Sequence, residues 1–239
     1  MNVDNIFKEP KSIQTFEFND DVCKVFDDMV SRSVPGYANI QETIDLLFNN
    51  LSKTKIAIDI GCSTGTTISH ILSQHSSAHC IGIDLSDKML ELAKIKCKPH
   101  LERTTFKNCD LINSNTSFIS EKKPDFIILN LVLQFIRPPD RIKYLKKLKL
   151  LCHPESTMVI FEKIIFPNSL INKTYIDSHL QWKEKSGYSK MEIANKRQSL
   201  ENRLIPYLHE ENIELFKNAG FNHVEICYSF LNFRGYVCF

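Results

Sequence analysis

A chain of 239 residues, 43% hydrophobic and 24% charged, is long enough to bury a full core and reads as one globular domain with decorations, 1–239. Its 30 basic and 28 acidic residues leave a formal charge of +2, which speaks against a broad nucleic-acid surface. MNVDNIFKEP shows no signal-peptide pattern, FIILNLVLQFI (126–136) is too short and too polar to span a bilayer, and the eight scattered cysteines form no CxxC pair, so the expected protein is cytoplasmic, without disulfides or a membrane span.

Residues 1–19 carry no clear period and are expected to wrap over the core. From Asp20 the pattern turns helical, with Val22, Val25, Phe26, Met29 and Val30 on one face of DDVCKVFDDMVSRS. SVPGY stops that helix and ANIQETIDLLFNNL starts another, which puts Tyr37 in the hinge of an N-terminal helical segment, 1–52. KIAIDIGCSTGTTISHIL (55–72) then reads as strand, glycine-bearing turn and helix.

HCIGID (79–84) is a second strand, and SDKMLELAKIKC a helix with Ser86 as N-cap. TTFKNCD (104–110) is a third strand or extended segment, PDFIILN a fourth ending near Asn130, RPPDRIKYLKKLKLLCHP a helix started by its prolines, and STMVIFEK (156–163) a fifth strand. Residues 164–206 interrupt the alternation with two or three helices split at Gly187, expected to form a helical cap. HEENIELFKNAG resumes it, and HVEICYSF with FRGYVCF forms an antiparallel pair at one edge. The outcome is an α/β fold with a mostly parallel sheet covered by helices on both faces.

Ligands of such sheets bind beyond the carboxyl ends of the strands, where Asp59, Asp84, Asp110 and Asn130 stand. The turn Gly61–Cys62–Ser63–Thr64–Gly65 lets backbone N–H groups approach a ligand closely. Asp59 disfavours a phosphate there and favours a cationic ligand such as a sulfonium amino acid. Asp84, 25 residues on, suits two ribose hydroxyls, and Asp110 an adenine amino group. Taken singly each signal is weak, because two-glycine turns occur in many α/β proteins that bind no nucleotide. Together they point to an adenosine site.

This pattern resembles the class I S-adenosylmethionine-dependent methyltransferase fold, with a seven-stranded sheet and an antiparallel C-terminal edge. One departure is the triplet GCS, which has Ser63 where methyltransferases commonly have a glycine. FNDDVCKVFDDMVSRSVPGY, IDIGCS, LNLVLQFI and SGYSKMEIANKRQSLEN narrow the resemblance to the carboxy-S-adenosylmethionine synthase family, over nearly the whole chain from about residue 16.

The resemblance implies cofactor contacts at Tyr37, Gly61, Cys62, Ser63, Asp84, Asp110 and Asn130, with Leu85 and Leu111 beside the base, and a carboxylate grip at Arg197. Read without it, Tyr37 is a hinge aromatic, Asn130 a polar strand end, and Arg197 part of a solvated helix face with Lys190, Lys196 and Arg203. It also implies that prephenate carboxylates the sulfonium methyl of S-adenosylmethionine, giving carboxy-S-adenosylmethionine and phenylpyruvate. The implied setting is a homodimer whose product passes to a tRNA carboxymethyltransferase for wobble-uridine modification, without stable nucleic-acid binding by this chain. Arg32 and Arg137 are cations available for prephenate.

A conventional methyltransferase acting on a small molecule or RNA, and a non-catalytic adenosine-binding module, stay open on the residues alone. His75, His79 and Cys80 lie close together without an evident fourth ligand, so no metal site is expected. Lys143, Lys146, Lys147 and Lys149 read as a solvated helix face, and no Ser-His-Asp order supports hydrolysis.

Overall fold

Short apolar runs bounded by turn residues form the centre of the molecule. A computed structural model describes residues 3–8 and 16–239. Five strands, β1 (Ile56–Ile60), β2 (His79–Asp84), β3 (Thr104–Asn108), β4 (Phe126–Asn130) and β5 (Thr157–Ile165), pair in parallel. β6 (Tyr207–Leu208), β7 (Val224–Phe230) and β8 (Phe233–Cys238) follow, and the sheet runs β3-β2-β1-β4-β5-β8-β7. β8 lies antiparallel to both β5 and β7, as the expected C-terminal edge requires. β6, a two-residue extension pairing with the end of β5, is an eighth strand the periodicity does not reveal.

The helices are α1 (Asp20–Ser33), α2 (Tyr37–Leu51), α3 (Thr66–Gln74), α4 (Asp87–Lys96), α5 (Ser117–Lys122), α6 (Pro138–Leu151), α7 (Ser169–Lys185), α8 (Lys190–Ser199) and α9 (His209–Asn218). One apolar layer joins α2, α3 and α4 to the sheet through Ile44, Phe48, Ile68 and Leu90. The other joins α5, α6 and α9 through Ile119, Leu145, Leu148 and Phe216. With both faces covered, β4 is buried along its apolar length, which explains its unbroken FIIL. Among the described residues no helix is long and apolar enough to cross a membrane.

Three boundaries differ from the periodicity. Tyr37 opens α2 rather than lying in a hinge, because Gly36 takes a left-handed φ of 70° as the N-cap. β5 continues to Ile165, two residues beyond the expected end, because β6 pairs with Ile164 and Ile165. Six-residue α5 shows no period long enough to be read.

α7 and α8 sit where a cap was expected, their N-termini closed by Asn168 and by a Ser189–Glu192 capping box. Part of the N-terminal segment packs on this cap. Asn195 donates to the Phe7 carbonyl at 2.9 Å, Phe16 N–H to Ser199 O at 2.9 Å, and the Tyr188 hydroxyl bonds the Asp4 carboxylate. Residues 1–2 and 9–15, also expected to wrap over the core, lie outside the described residues.

Candidate functional site

A cavity of about 410 Å³ opens at the carboxyl ends of β1, β2, β4 and β5, beneath α1, α7 and α8. Its floor is the turn after β1, where three residues in five take left-handed backbone: Gly61 (φ 66°), Ser63 (φ 49°) and Gly65 (φ 74°). A Cβ on Gly61 would stand 2.8 Å from a Val132 methyl, and one on Gly65 2.9 Å from the Ala93 methyl, so neither position has room for a side chain. Ser63 holds its conformation by donating N–H to Asp84 Oδ2 at 2.9 Å and its hydroxyl to the Gly61 carbonyl at 3.3 Å. The next residues are tied to α1 and α4: Thr64 donates to Asp27 at 2.6 Å, and Lys96 reaches Asp27 at 2.7 Å and Thr66 at 2.6 Å.

Two carboxyl groups and an amide face this floor. Asp59 is buried, and burial together with the nearby Asp84 pushes its carboxyl up to about 8. Asp84 is raised less, because burial is opposed by the N–H groups of Ser86 and Ser63. The buried Asn130 Oδ1 on the cavity wall has no protein hydrogen-bond partner among the described residues. Such an atom is costly unless a ligand donor or water meets it. The loop after Asn130 is braced by buried Glu162, which accepts the N–H groups of Leu133 at 2.8 Å and Gln134 at 2.9 Å. Desolvation pushes Glu162 up to about 8.

The opposite wall carries cations. Lys163 from β5, Lys183 from α7, Lys196 from α8 and Arg203 all line the cavity. Lys196 is buried, donates to the Ser33 hydroxyl at 2.7 Å and stands 3.6 Å from Asp4. Burial nonetheless lowers it to about 8. Burial and the neighbouring Lys196, Lys163 and Arg197 lower Lys183 to about 7, and burial and Arg197 lower Lys163. His179, bonded to the Ser33 carbonyl at 2.9 Å, is pushed down to about 3 by burial and adjacent lysines and stays neutral.

Of the residues expected from the sequence, Tyr37, Gly61, Cys62, Ser63, Asp84, Leu85 and Asn130 line this cavity. Asp110, Leu111 and Arg197 do not. The Asp110 carboxylate accepts from Ile112 N–H at 2.8 Å and from the Asn113 side chain at 2.8 Å, Leu111 is buried in the apolar core, and Arg197 is exposed. Cys109 and Tyr144 form the wall nearest that turn.

Arg32 is committed elsewhere: it bonds Asp28 at 2.5 Å and the Asp4 carbonyl at 2.8 Å and stacks on Tyr188. Arg137 is exposed at the start of α6, outside the lining. The helix carrying Arg197 is not wholly solvated, because Lys196 turns inward and is buried. Lys147 likewise leaves its solvated run to bond the Ile112 carbonyl at 3.0 Å. Sequence reasoning did not single out Lys163, Lys183 and Glu162. The available signal was a Glu–Lys pair inside the otherwise apolar TMVIFEKII.

Residues 57–155 match a family described as a methyltransferase domain. The chain is similar, over 97% of its length and 64% of the other chain, to an O-methyltransferase family protein from Burkholderia thailandensis, with a TM-score of 0.67 at 16% identity. It is 40% identical, over 99% of both chains, to the carboxy-S-adenosyl-L-methionine synthase of Nautilia profundicola (strain ATCC BAA-1463 / DSM 18972 / AmH). It is 61% identical, over 100% of this chain and 99% of the other, to carboxy-S-adenosyl-L-methionine synthase 1 of Yersinia pseudotuberculosis serotype IB (strain PB1/+). With a strand-turn-helix floor, an acidic wall and full-length identity of this order, the chain belongs to the carboxy-S-adenosyl-L-methionine synthase family.

Proposed function

We propose that this chain converts S-adenosylmethionine and prephenate to carboxy-S-adenosylmethionine and phenylpyruvate. The observation that carries the reading is a cavity with two unlike walls, acidic and amide-bearing beside the glycine turn, cationic beneath the cap. The residues present fit the sulfonium nucleoside. Unpartnered Asn130 Oδ1 needs a donor, which an amino group supplies, and Asp59 gains by ionising beside a cation. When bound, S-adenosylmethionine supplies a methyl carbon acidified by its sulfonium neighbour.

The protein's part is alignment and charge. Tyr37, Gly61, Cys62, Ser63, Asp84, Leu85 and Asn130 hold the nucleoside and its amino-acid end. Asp110 and Leu111 act near the base, through a backbone turn that the Asp110 carboxylate already orders. In the reaction prephenate loses its ring carboxyl and its hydroxyl. The hydroxyl leaves with the methyl proton as water, and the carboxyl ends on the methyl carbon. No strong protein base is then required.

Arg197, outside the cavity lining but with a charge that helps lower Lys163 and Lys183, is the guanidinium assigned to the new carboxylate. The chain acts as one domain, with the helical segment that precedes β1 and the 164–206 cap closing the site. We assign it to the cytoplasm as a homodimer that hands its product to a tRNA carboxymethyltransferase and does not itself hold RNA stably.

Mass spectrometry of the ligand retained by purified protein, followed by incubation with S-adenosylmethionine and prephenate, tests the reading. A retained nucleoside heavier than S-adenosylmethionine by one carboxyl group, and phenylpyruvate formed in step with it, are expected. Methyl transfer to an added acceptor with prephenate untouched would instead identify a conventional methyltransferase.

A further inference from the structure

The cationic wall poses a physical problem of its own. Burying an ammonium group is costly unless it is paired, and folded chains ordinarily meet the cost with a carboxylate. Among the described residues, the ammonium groups of Lys163 and Lys183 have no carboxylate within salt-bridge distance and donate no protein hydrogen bond. Both are only partly exposed and both line the cavity. Lys196, beside them, does have protein partners in Asp4 and the Ser33 hydroxyl. The three arise from β5, α7 and α8, so no single surface helix face accounts for their meeting.

Their position separates them from the nucleoside wall. Asn130 on β4 is registered with Phe161 on β5, and Lys163 lies two residues beyond it towards the cap. β1, which carries Asp59, is the second strand from β5, a lateral distance of about 10 Å at ordinary strand spacing. The cavity lining shared with the lysines also includes the apolar Phe135, Leu200, Leu204 and Phe233.

We propose that Lys163 and Lys183 form a recess for the carboxylates of the carboxyl-donating substrate, and that the apolar residues beside them receive its ring. This rests on the synthase reading and assigns the half of the cavity that the nucleoside contacts leave unexplained. It also replaces Arg32 and Arg137 as cations for that substrate. Two point charges on separate elements suit two carboxylates held apart by a ring, whereas a guanidinium fork suits one planar carboxylate. Arg203, exposed at the rim, adds attraction at entry rather than a buried contact.

The test uses protein saturated with S-adenosylhomocysteine, which has no methyl to carboxylate, so prephenate titrated by calorimetry reports binding without turnover. Lys163→Met and Lys183→Met should each weaken prephenate by roughly 10- to 100-fold and leave S-adenosylhomocysteine within about twofold. In turnover, the Michaelis constant for prephenate should rise more than kcat falls. Lys183→Arg should recover most of the affinity. Because each Met substitution removes an unpaired charge, the ligand-free variants should unfold no lower than the parent at pH 6. Lower unfolding temperatures would mean that the lysines support the fold, and would overturn the proposal.

Unchanged prephenate binding in both variants also overturns it, as does an equal loss of S-adenosylhomocysteine, which would give the lysines to the amino-acid end of the nucleoside. The two readings fail separately. Parent protein that binds prephenate in this complex yet forms no carboxylated nucleoside sinks the synthase reading alone. Parent protein that forms it while both variants keep the parent's Michaelis constant sinks the lysine recess alone. Parent protein that does not bind prephenate at all overturns both.

Discussion

The two walls of the cavity are built by different means. The nucleoside wall comes from strand ends and the turn that follows one of them: Asp59, Gly61, Cys62 and Ser63 are nearly consecutive, and Asp84 is bonded directly to that turn. Parallel register alone brings these groups together. The cationic wall draws Lys163 from β5, Lys183 and Lys196 from two cap helices, and Arg203 from the segment after them. Only packing of the cap on the sheet and N-terminal segment unites these. The first wall stores its cost in backbone strain and a protonated carboxyl, the second in unpaired charge. A ligand that is cationic at one end and meets a dianion at the other relieves both.

The largest effect that would break this division is at Arg197. If the guanidinium grips the carboxylate created by the reaction, Arg197→Ala should weaken carboxy-S-adenosylmethionine by about 30- to 100-fold and S-adenosylmethionine by less than about threefold. Calorimetry with the two nucleosides reads the difference directly. Equal losses would show that Arg197 belongs to the nucleoside wall or acts only on the field around Lys163 and Lys183. Arg197 is exposed and stands outside the cavity lining, so this role requires its side chain to shift towards the product.

A smaller effect should separate the walls by the sign of their pH dependence. Asp59, pushed up to about 8 by burial and Asp84, is protonated in the ligand-free protein at neutral pH, and a cationic ligand draws it to its charged form. Binding of S-adenosylmethionine should therefore release protons and strengthen as pH rises towards 8. Lys183, pushed down to about 7 by burial and by Lys196, Lys163 and Arg197, loses its charge as pH rises through that value. Prephenate binding should take up protons and weaken by up to about tenfold per pH unit above 7. His179 is neutral throughout, and Asp4 remains the partner of Lys196, so neither reverses these signs.

Stability follows the same division. A carboxyl whose folded value is raised gives stability below its unfolded value and loses it as pH rises through the folded one. Asp59→Asn should thus gain little at pH 4 and progressively more as pH rises to 8. An amine whose folded value is lowered carries its penalty below that value, so the gain from Lys183→Met should be largest below pH 7 and fade in alkali. Thermal unfolding of the ligand-free variants across pH 5–9 checks both. Parallel slopes for the two variants would remove the distinction between the walls.

The contrast also explains what was legible in the sequence. Strand, turn and helix have distinct periods, so the sheet, the glycine turn, Asp84 and Asn130 could be placed by pattern. Lys196 could not, because a charged residue on a charged helix reads as solvated, and only the Asp4–Tyr188–Ser33 surroundings pull it inward. Lys163 hid at the end of an apolar strand. Asp110 was legible as an aspartate after a strand, yet its carboxylate turns back on Ile112 and Asn113, a local choice that the residue type alone does not announce. Glu162 stands in the same apolar strand, and its partners are N–H groups of a loop 28 and 29 residues away.

The smallest prediction returns to the turn. Ser63 holds a left-handed φ of 49°, where a side chain costs about 1 kcal/mol or more, while its hydroxyl bond to Gly61 and its N–H bond to Asp84 offset part of that. Ser63→Gly should remove the strain but also lose the hydroxyl bond and loosen the unfolded chain by about 0.5–1 kcal/mol, so that its stability stays within about 0.5 kcal/mol of the parent. Ser63→Ala keeps the strain and loses the hydroxyl bond, so it should fall by about 0.5–1 kcal/mol. Calorimetric unfolding of the ligand-free pair tests the sign in each case. If both variants are less stable than the parent, the hydroxyl outweighs the backbone strain, and the nucleoside wall is stabilised by its side chains as well as by its register. If Ser63→Gly keeps the parent's stability but binds S-adenosylmethionine more weakly, the serine is retained for its ligand, and the turn accepts strain in the free protein for an interaction made only when the nucleoside is present.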